Sequence, residues 1–178
     1  EKDDDFIKAE QNYRKALSLK SEYPQARNNY GVLLYRLKRY KEAMEQFSIA
    51  AADLSYERRE TALEYVGKIA LMLGDKEKAK TTFERALKLN PLLPNPALEL
   101  ALFAFEEQKL PEANRYYQRY IRALETEPQS ARGLWLGIRL ARVNHDNNAL
   151  AIYEFTLKRL YANSDEYQAY LSSLNSGS

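Results

Sequence analysis

The chain has 178 residues, of which 29% are charged and 45% apolar, a composition typical of one or two folded helical domains. Its 27 basic and 25 acidic side chains are interleaved, which argues against the concentrated basic surface that nucleic-acid binding requires. Cysteine is absent, so disulfides, thiol nucleophiles and cysteine-ligated zinc are excluded, and no apolar run is long enough to span a membrane.

A single helix is predicted at the start of the chain, from Asp5 to Lys20. Three consecutive aspartates open it, as suits the positive end of a helix dipole. We assign residues 1–21 to the second half of a helical repeat. Because the first half is missing, we expect this sequence to be a piece of a longer protein.

Four full helix-turn-helix repeats are predicted next, at residues 24–57, 60–93, 94–127 and 130–163. In each, a small residue is followed by Ala, then by an aromatic residue, then by a position that is Ala in two of the four, always at the same spacing. The four sets are Gly31–Ala43–Phe47–Ala50, Gly67–Ala79–Phe83–Ala86, Ala101–Ala113–Tyr117–Tyr120 and Gly137–Ala149–Tyr153–Thr156. This spacing is typical of the tetratricopeptide (TPR) repeat of about 34 residues. It predicts an all-α superhelical solenoid of TPR units in one domain.

The end of the array is predicted to be closed by one more helix, over residues 164–174. A final helix without a partner is typical of a cap that covers the open end of a solenoid. Residues 175–178 are predicted to be a disordered tail. One irregularity precedes the last repeat: Tyr120 stands where Ala is expected, so we predict a local widening there.

No residue pattern points to catalysis, to a metal or to a cofactor. The single histidine, His145, lies beside Asp146 in a predicted turn, with no nucleophile or oxyanion loop near it. No glycine-rich phosphate-binding string occurs. We therefore predict a protein that is not an enzyme and uses no cofactor.

The first helices of TPR units are expected to line a groove that binds a protein partner. From the groove-facing positions of these helices we predict ten partner-binding residues. They are Asn28, Val32, Tyr35, Leu71, Met72, Leu98, Leu102, Phe105, Leu134 and Ile138. The predicted groove is polar at its start and apolar at the fourth and fifth repeats.

The last five of these residues would form an exposed apolar strip. Large apolar patches on monomers commonly mark binding surfaces, which favours a docking strip for a partner. The alternative is that the superhelix or the last helix folds over the strip and makes it part of the core.

The carboxylate-gripping pattern of co-chaperone TPR proteins is a poor match. At the corresponding positions the chain has Gln25, Asn29, Thr61, Tyr65, Asn95 and Glu99. Only Asn29 fits, and Glu99 would repel a carboxylate, so this interpretation fails.

Several strings beyond the repeat spacing resemble one bacterial family. They are Asn28-Asn29-Tyr30-Gly31, Tyr56-Glu57-Arg58, Leu136-Gly137-Ile138-Arg139-Leu140-Ala141-Arg142, and Leu157-Lys158-Arg159-Leu160-Tyr161 followed by Ser164 and Glu166-Tyr167-Gln168. Over residues 5–171 the chain is similar to the type IV pilus biogenesis/stability TPR lipoproteins, the PilF/PilW family.

This resemblance implies a scaffold on the periplasmic side of the bacterial outer membrane. Members of the family act as pilotins that promote localisation and multimerisation of the pilus secretin, or they stabilise pili. The implied partner is a secretin subunit, and the implied membrane contact is an N-terminal lipid anchor whose cysteine is absent here. A general cytosolic TPR adaptor, similar to co-chaperones, is the alternative.

Overall fold

The computed structural model describes residues 2–175, with side chains from residue 5 onward, as a series of helices joined by short turns. The helices are α1 (Lys2–Leu19), α2 (Pro24–Arg36), α3 (Tyr40–Ala52), α4 (Arg59–Met72), α5 (Lys76–Leu89), α6 (Pro94–Glu106), α7 (Leu110–Ala123), α8 (Ala131–Val143), α9 (Asn147–Tyr161) and α10 (Asp165–Asn175). The predicted all-α class and the TPR helix pairs are confirmed. Asn175 belongs to α10, and the rest of the predicted tail lies outside the described residues.

The turn between the two helices of each repeat has the same backbone geometry. The second residue after the first helix takes a left-handed conformation, with φ 60° at Lys38, 81° at Gly74, 58° at Gln108 and 55° at His145. The next backbone N–H then donates to a carbonyl of the preceding helix, as in Lys109 N to Ala104 O at 2.8 Å. His145 is therefore a turn residue, as predicted.

The chain forms two compact units, one ending at Pro96 and the other beginning at Ala97. In the first unit, Phe47 is fully buried and stacks on Tyr65, with ring centroids 4.5 Å apart. Glycine fits closely against this ring, because a Cβ at Gly31 would lie 2.9 Å from Cε1 of Phe47. In the first unit the repeat spacing thus works by steric fit, with a glycine in the first helix facing an aromatic ring in the second.

The second unit accommodates the irregular Tyr120 by a local exchange of volume. Tyr120 is buried, and a Cβ at Gly133 would collide with its hydroxyl group. That hydroxyl accepts a hydrogen bond from the backbone N–H of Ser130 at 3.0 Å. Far fewer residues of α7 lie close to α8 than residues of α3 lie close to α4. This difference agrees with the widening predicted before the last repeat.

A charged network ties α1 to the following repeat in the first unit. The Glu10 carboxylate accepts hydrogen bonds from Arg39 at 2.7 Å, from Arg14 at 2.8 Å and from the hydroxyl of Tyr30 at 2.8 Å. Arg39 also donates to Glu42 at 2.7 Å. The hydrogen bond from Arg39, aided by those from Tyr30 and Arg14, lowers the pKa of Glu10 from 4.5 to about 2, against the opposing effect of partial burial.

Replacing Glu10 with Gln should therefore destabilise the protein at neutral pH by about 1–2 kcal/mol, because Arg39, Arg14 and Tyr30 lose a charged acceptor. Since the folded pKa of Glu10 is depressed, the wild-type advantage should be complete above pH 4.5 and shrink as the pH falls towards about 2. Chemical denaturation at pH 7 and pH 3 measures it. Glu45→Gln, at an exposed carboxylate of α3, is the control and should change little at either pH. An equal loss for Glu10→Gln at both pH values would contradict the network's role.

Candidate protein-binding faces

In the first unit the structure brings some of the predicted groove residues together and buries one. Tyr35 of α2 contacts Met72 of α4, its hydroxyl lying 3.8 Å from the sulfur, and Met72 is 49% exposed. Val32 and Leu71 are half-buried. Asn28 is only 6% exposed, so its predicted availability to a partner is wrong. Four of the five predicted residues in this unit thus keep some accessible surface.

Val32 also lines an open groove between α1 and α2. The groove has a volume of about 360 Å³ and is bounded by Phe6 and Tyr13 from α1 and by Val32 and Arg36 from α2. Its floor is apolar because Phe6, Tyr13 and Val32 pack against the core of the first unit. The groove is shallow and open, as suits a polypeptide segment better than a small molecule.

In the second unit the predicted apolar strip is mostly covered. Leu98, Leu134 and Ile138 are 5%, 1% and 0% exposed, so the expectation that a partner reaches them is wrong. Leu134 and Ile138 form a core cluster with Leu157, and side chains of α10 pack against it. The last helix covers this part of the strip, which was the alternative interpretation.

The accessible remainder of the strip is Leu102 and Phe105, which are half-buried on α6. Phe105 does not stand alone, because Arg139 of α8 reaches across to it. The guanidinium carbon of Arg139 lies 4.7 Å from the centroid of Phe105 and 5.3 Å from that of Trp135. We call Leu102, Phe105, Trp135 and Arg139 the α6/α8 face.

Trp135 and Arg139 are missing from the sequence-based prediction because each lies one residue after a position assumed to face the groove, Leu134 and Ile138 respectively. The signal that could have found them is their own spacing: Arg139 follows Trp135 by four residues, which places both on one side of a helix. A long cationic side chain beside an aromatic ring commonly stacks on it.

The charges around this face are unevenly compensated. Arg132 pairs with both carboxylate oxygens of Glu99, at 2.6 and 3.1 Å. Arg142 donates to the hydroxyl of Ser173 at 2.9 Å and forms an ion pair with Glu154 at 3.5 Å. Arg139, by contrast, has a buried Nε with no hydrogen-bond acceptor among the described residues.

Burial lowers the pKa of Arg139, against a weaker opposing attraction from Glu106. A guanidinium stays charged through such a shift. The α6/α8 face therefore combines apolar and aromatic surface with a positive charge whose buried Nε has no acceptor among the described side chains, residues 5–175.

The sequence singles out one further pair of polar residues, His145 and Asp146. Asp146, beside His145, accepts a hydrogen bond from the backbone N–H of Ala149 and so caps α9. Within the part of the chain that the structure describes, no three histidine or acidic side chains are grouped to hold a metal ion. None of the helices described is both long and apolar enough to cross a membrane.

The chain shares its repeats, and most of its length, with known proteins. Two family profiles described as Tetratricopeptide repeat match residues 2–57 and 60–93. The type IV pilus assembly protein PilF of Pseudomonas aeruginosa is 40% identical over 162 residues, which make up 91% of this chain and 63% of PilF. The chain thus spans less than two thirds of the length of this curated relative.

Solved structures show the same relationship. The structure of Pseudomonas aeruginosa PilF matches with a TM-score of 0.84 at 39% identity, covering 92% of this chain and 72% of that one. The structure of PilW, a widely conserved type IV pilus biogenesis factor, matches with a TM-score of 0.66 at 30% identity, covering 90% of this chain and 73% of that one. With this identity sustained over nearly its whole length, the chain belongs to the PilF/PilW family of type IV pilus TPR proteins.

Proposed function

We propose that this chain is a non-enzymatic, protein-binding scaffold of type IV pilus biogenesis. It acts as a pilotin that promotes outer-membrane localisation and multimerisation of the pilus secretin, or stabilises assembled pili. The observation that carries the proposal is the 40% identity to the pilus assembly protein PilF over 91% of the chain. The repeats themselves supply exposed apolar surface of the kind that binds polypeptide segments.

The proposed partner is a secretin subunit, and the proposed location is the periplasmic side of the outer membrane. Membrane attachment is through a lipid anchor on a segment preceding residue 1. Partner contacts use the predicted groove residues that remain accessible, Val32, Tyr35, Leu71 and Met72 in the first unit and Leu102 and Phe105 in the second. The buried members of the predicted set act from the core by holding these residues in place.

Deleting the gene in its own piliated bacterium should lower the amount of multimeric secretin in outer-membrane fractions and reduce surface pili. Re-expression of the full-length protein should restore both, and the restored protein should co-purify with the secretin. Membrane fractionation, secretin immunoblots without heating and pilus shearing measure these effects. Normal secretin multimers and normal piliation in the deletion strain would overturn the proposal. Fractionation of the full-length protein with the cytosol would instead support a general adaptor.

A further inference from the structure

We propose that the α6/α8 face binds a partner segment that carries a side-chain carboxylate flanked by apolar residues, with Arg139 as the residue that receives the carboxylate. The inference rests on the proposed function in one respect only, since it names the chemistry of the segment that such a partner presents. It also assigns a binding role to Arg139 and Trp135, which the groove-facing repeat positions do not include.

Two aromatic rings hold Arg139 in place without neutralising its charge. Phe105 and Trp135 flank its guanidinium, at 4.7 and 5.3 Å from their ring centroids. Aromatic rings fix the plane of a guanidinium but accept no conventional hydrogen bond from it. The guanidinium of Arg139 therefore remains charged, and its N–H groups remain able to donate hydrogen bonds to another molecule.

The hydrogen-bond donors of Arg139 differ in their accessibility. The nitrogen of Arg139 that is buried without an acceptor is Nε, while the side chain as a whole remains partly exposed. The terminal Nη atoms are thus the ones that an incoming acceptor meets. A carboxylate suits them because it accepts two parallel hydrogen bonds in the plane of the guanidinium.

The neighbouring arginines of α8 already have hydrogen-bond acceptors. Arg132 is occupied by Glu99 in a two-point pair, and Arg142 by Glu154 and Ser173. Glu106 also attracts Arg139 electrostatically. Among the arginines of α8, Arg139 is therefore the one with which a partner's carboxylate would form the most favourable interaction and meet the fewest competing acceptors.

The half-buried residues of α6 indicate that the partner segment also carries apolar side chains. Leu102 and Phe105 lie one helical turn apart on α6 and are half-buried, so a leucine-sized side chain beside the carboxylate would cover them. Covering them also removes water from Arg139, which strengthens its hydrogen bonds to the carboxylate. A wholly polar acidic segment should bind less well for this reason.

The experiment uses Trp135, the single tryptophan of the chain, as a reporter next to Arg139. Two blocked pentapeptides serve as probes, Leu-Glu-Leu-Glu-Leu and its neutral twin Leu-Gln-Leu-Gln-Leu. The acidic peptide should change the fluorescence of Trp135 in a saturable way and bind roughly tenfold more tightly than the neutral one, as expected for a hydrogen bond between charged groups. Raising the salt concentration should narrow the difference in affinity between the acidic and the neutral peptide.

The matched variants are Arg139→Gln and Arg159→Gln. Arg139→Gln should bind both peptides equally weakly and should retain less secretin in co-purification. Arg159→Gln removes one positive charge from an exposed site on α9 and should behave as the wild type. Arg139→Lys keeps the charge but lacks the planar fork, and should recover only part of the preference. Circular dichroism confirms that each variant folds.

The proposal is overturned if the acidic peptide gives no saturable response, if both peptides bind alike, or if Arg139→Gln keeps the preference. It is also overturned if inorganic phosphate at equal ionic strength reproduces the response, since the site would then be a general anion site. These outcomes are separate from the pilotin proposal, which fails when the unaltered protein retains no secretin and leaves secretin assembly unchanged.

Discussion

Replacing Gly67 with Leu should lower the melting temperature by roughly 6–12 °C, the shift expected when overpacking of a core costs about 3 kcal/mol. A Cβ at this position would lie 2.5 Å from Cε1 of Phe83. Phe83 is 1% exposed, and protein cores are close-packed, so the helices α4 and α5 must separate to admit the leucine. Loss of helical signal on heating, followed by circular dichroism, measures the effect.

Lys68→Leu provides a matched control, because it places the same side chain one residue further along α4 at an exposed position. It removes only a weak cation–π contact with Tyr65, whose ring centroid lies 5.9 Å from the ammonium group. Its melting temperature should stay close to that of the wild type. Equal melting temperatures for the two variants would mean that the glycine does not face the ring and that the repeat register is wrong.

The repeat spacing predicts the helices and the glycine-to-ring contacts because both recur at fixed positions within a repeat. Gly31 facing Phe47 and Gly67 facing Phe83 follow from one repeated steric rule. Tyr120 shows where the rule stops. Its partner is Gly133, in the next repeat, and only the folded chain shows that a missing Cβ there compensates for the larger residue.

The binding surface is harder to predict than the helices, because exposure depends on what later elements cover. Periodicity places Leu134 and Ile138 on the same side of α8 that a partner would approach, yet α10 packs there and buries them. Arg139 is missed for a different reason. Its long side chain leaves the direction implied by its position and reaches Phe105 on another helix. How far a side chain extends depends on its own length and flexibility, and the repeat register does not predict it.

The accessible part of the apolar strip can be tested by reversing its character. Leu102→Glu combined with Phe105→Glu in the full-length protein should weaken secretin retention at least thirtyfold, as expected when anchor side chains worth about 2 kcal/mol or more are lost. The new carboxylates would also lie beside Arg139 and neutralise it from within. In cells, the secretin should remain monomeric or mislocalised, and surface pili should be lost.

The control for this double variant is Ile152→Glu combined with Phe155→Glu. These residues of α9 are 63% and 64% exposed, are also three positions apart, and receive the same two charges in the same unit. The control should retain the secretin and support piliation, because it leaves the α6/α8 face unchanged. If it loses the secretin to the same degree, the effect comes from added charge. If the Leu102/Phe105 variant binds normally, the accessible groove residues of the first unit carry the contact. If that variant unfolds while the control does not, Leu102 and Phe105 serve the core, because a half-buried side chain that tolerates no charge is held by its own helices rather than by a partner.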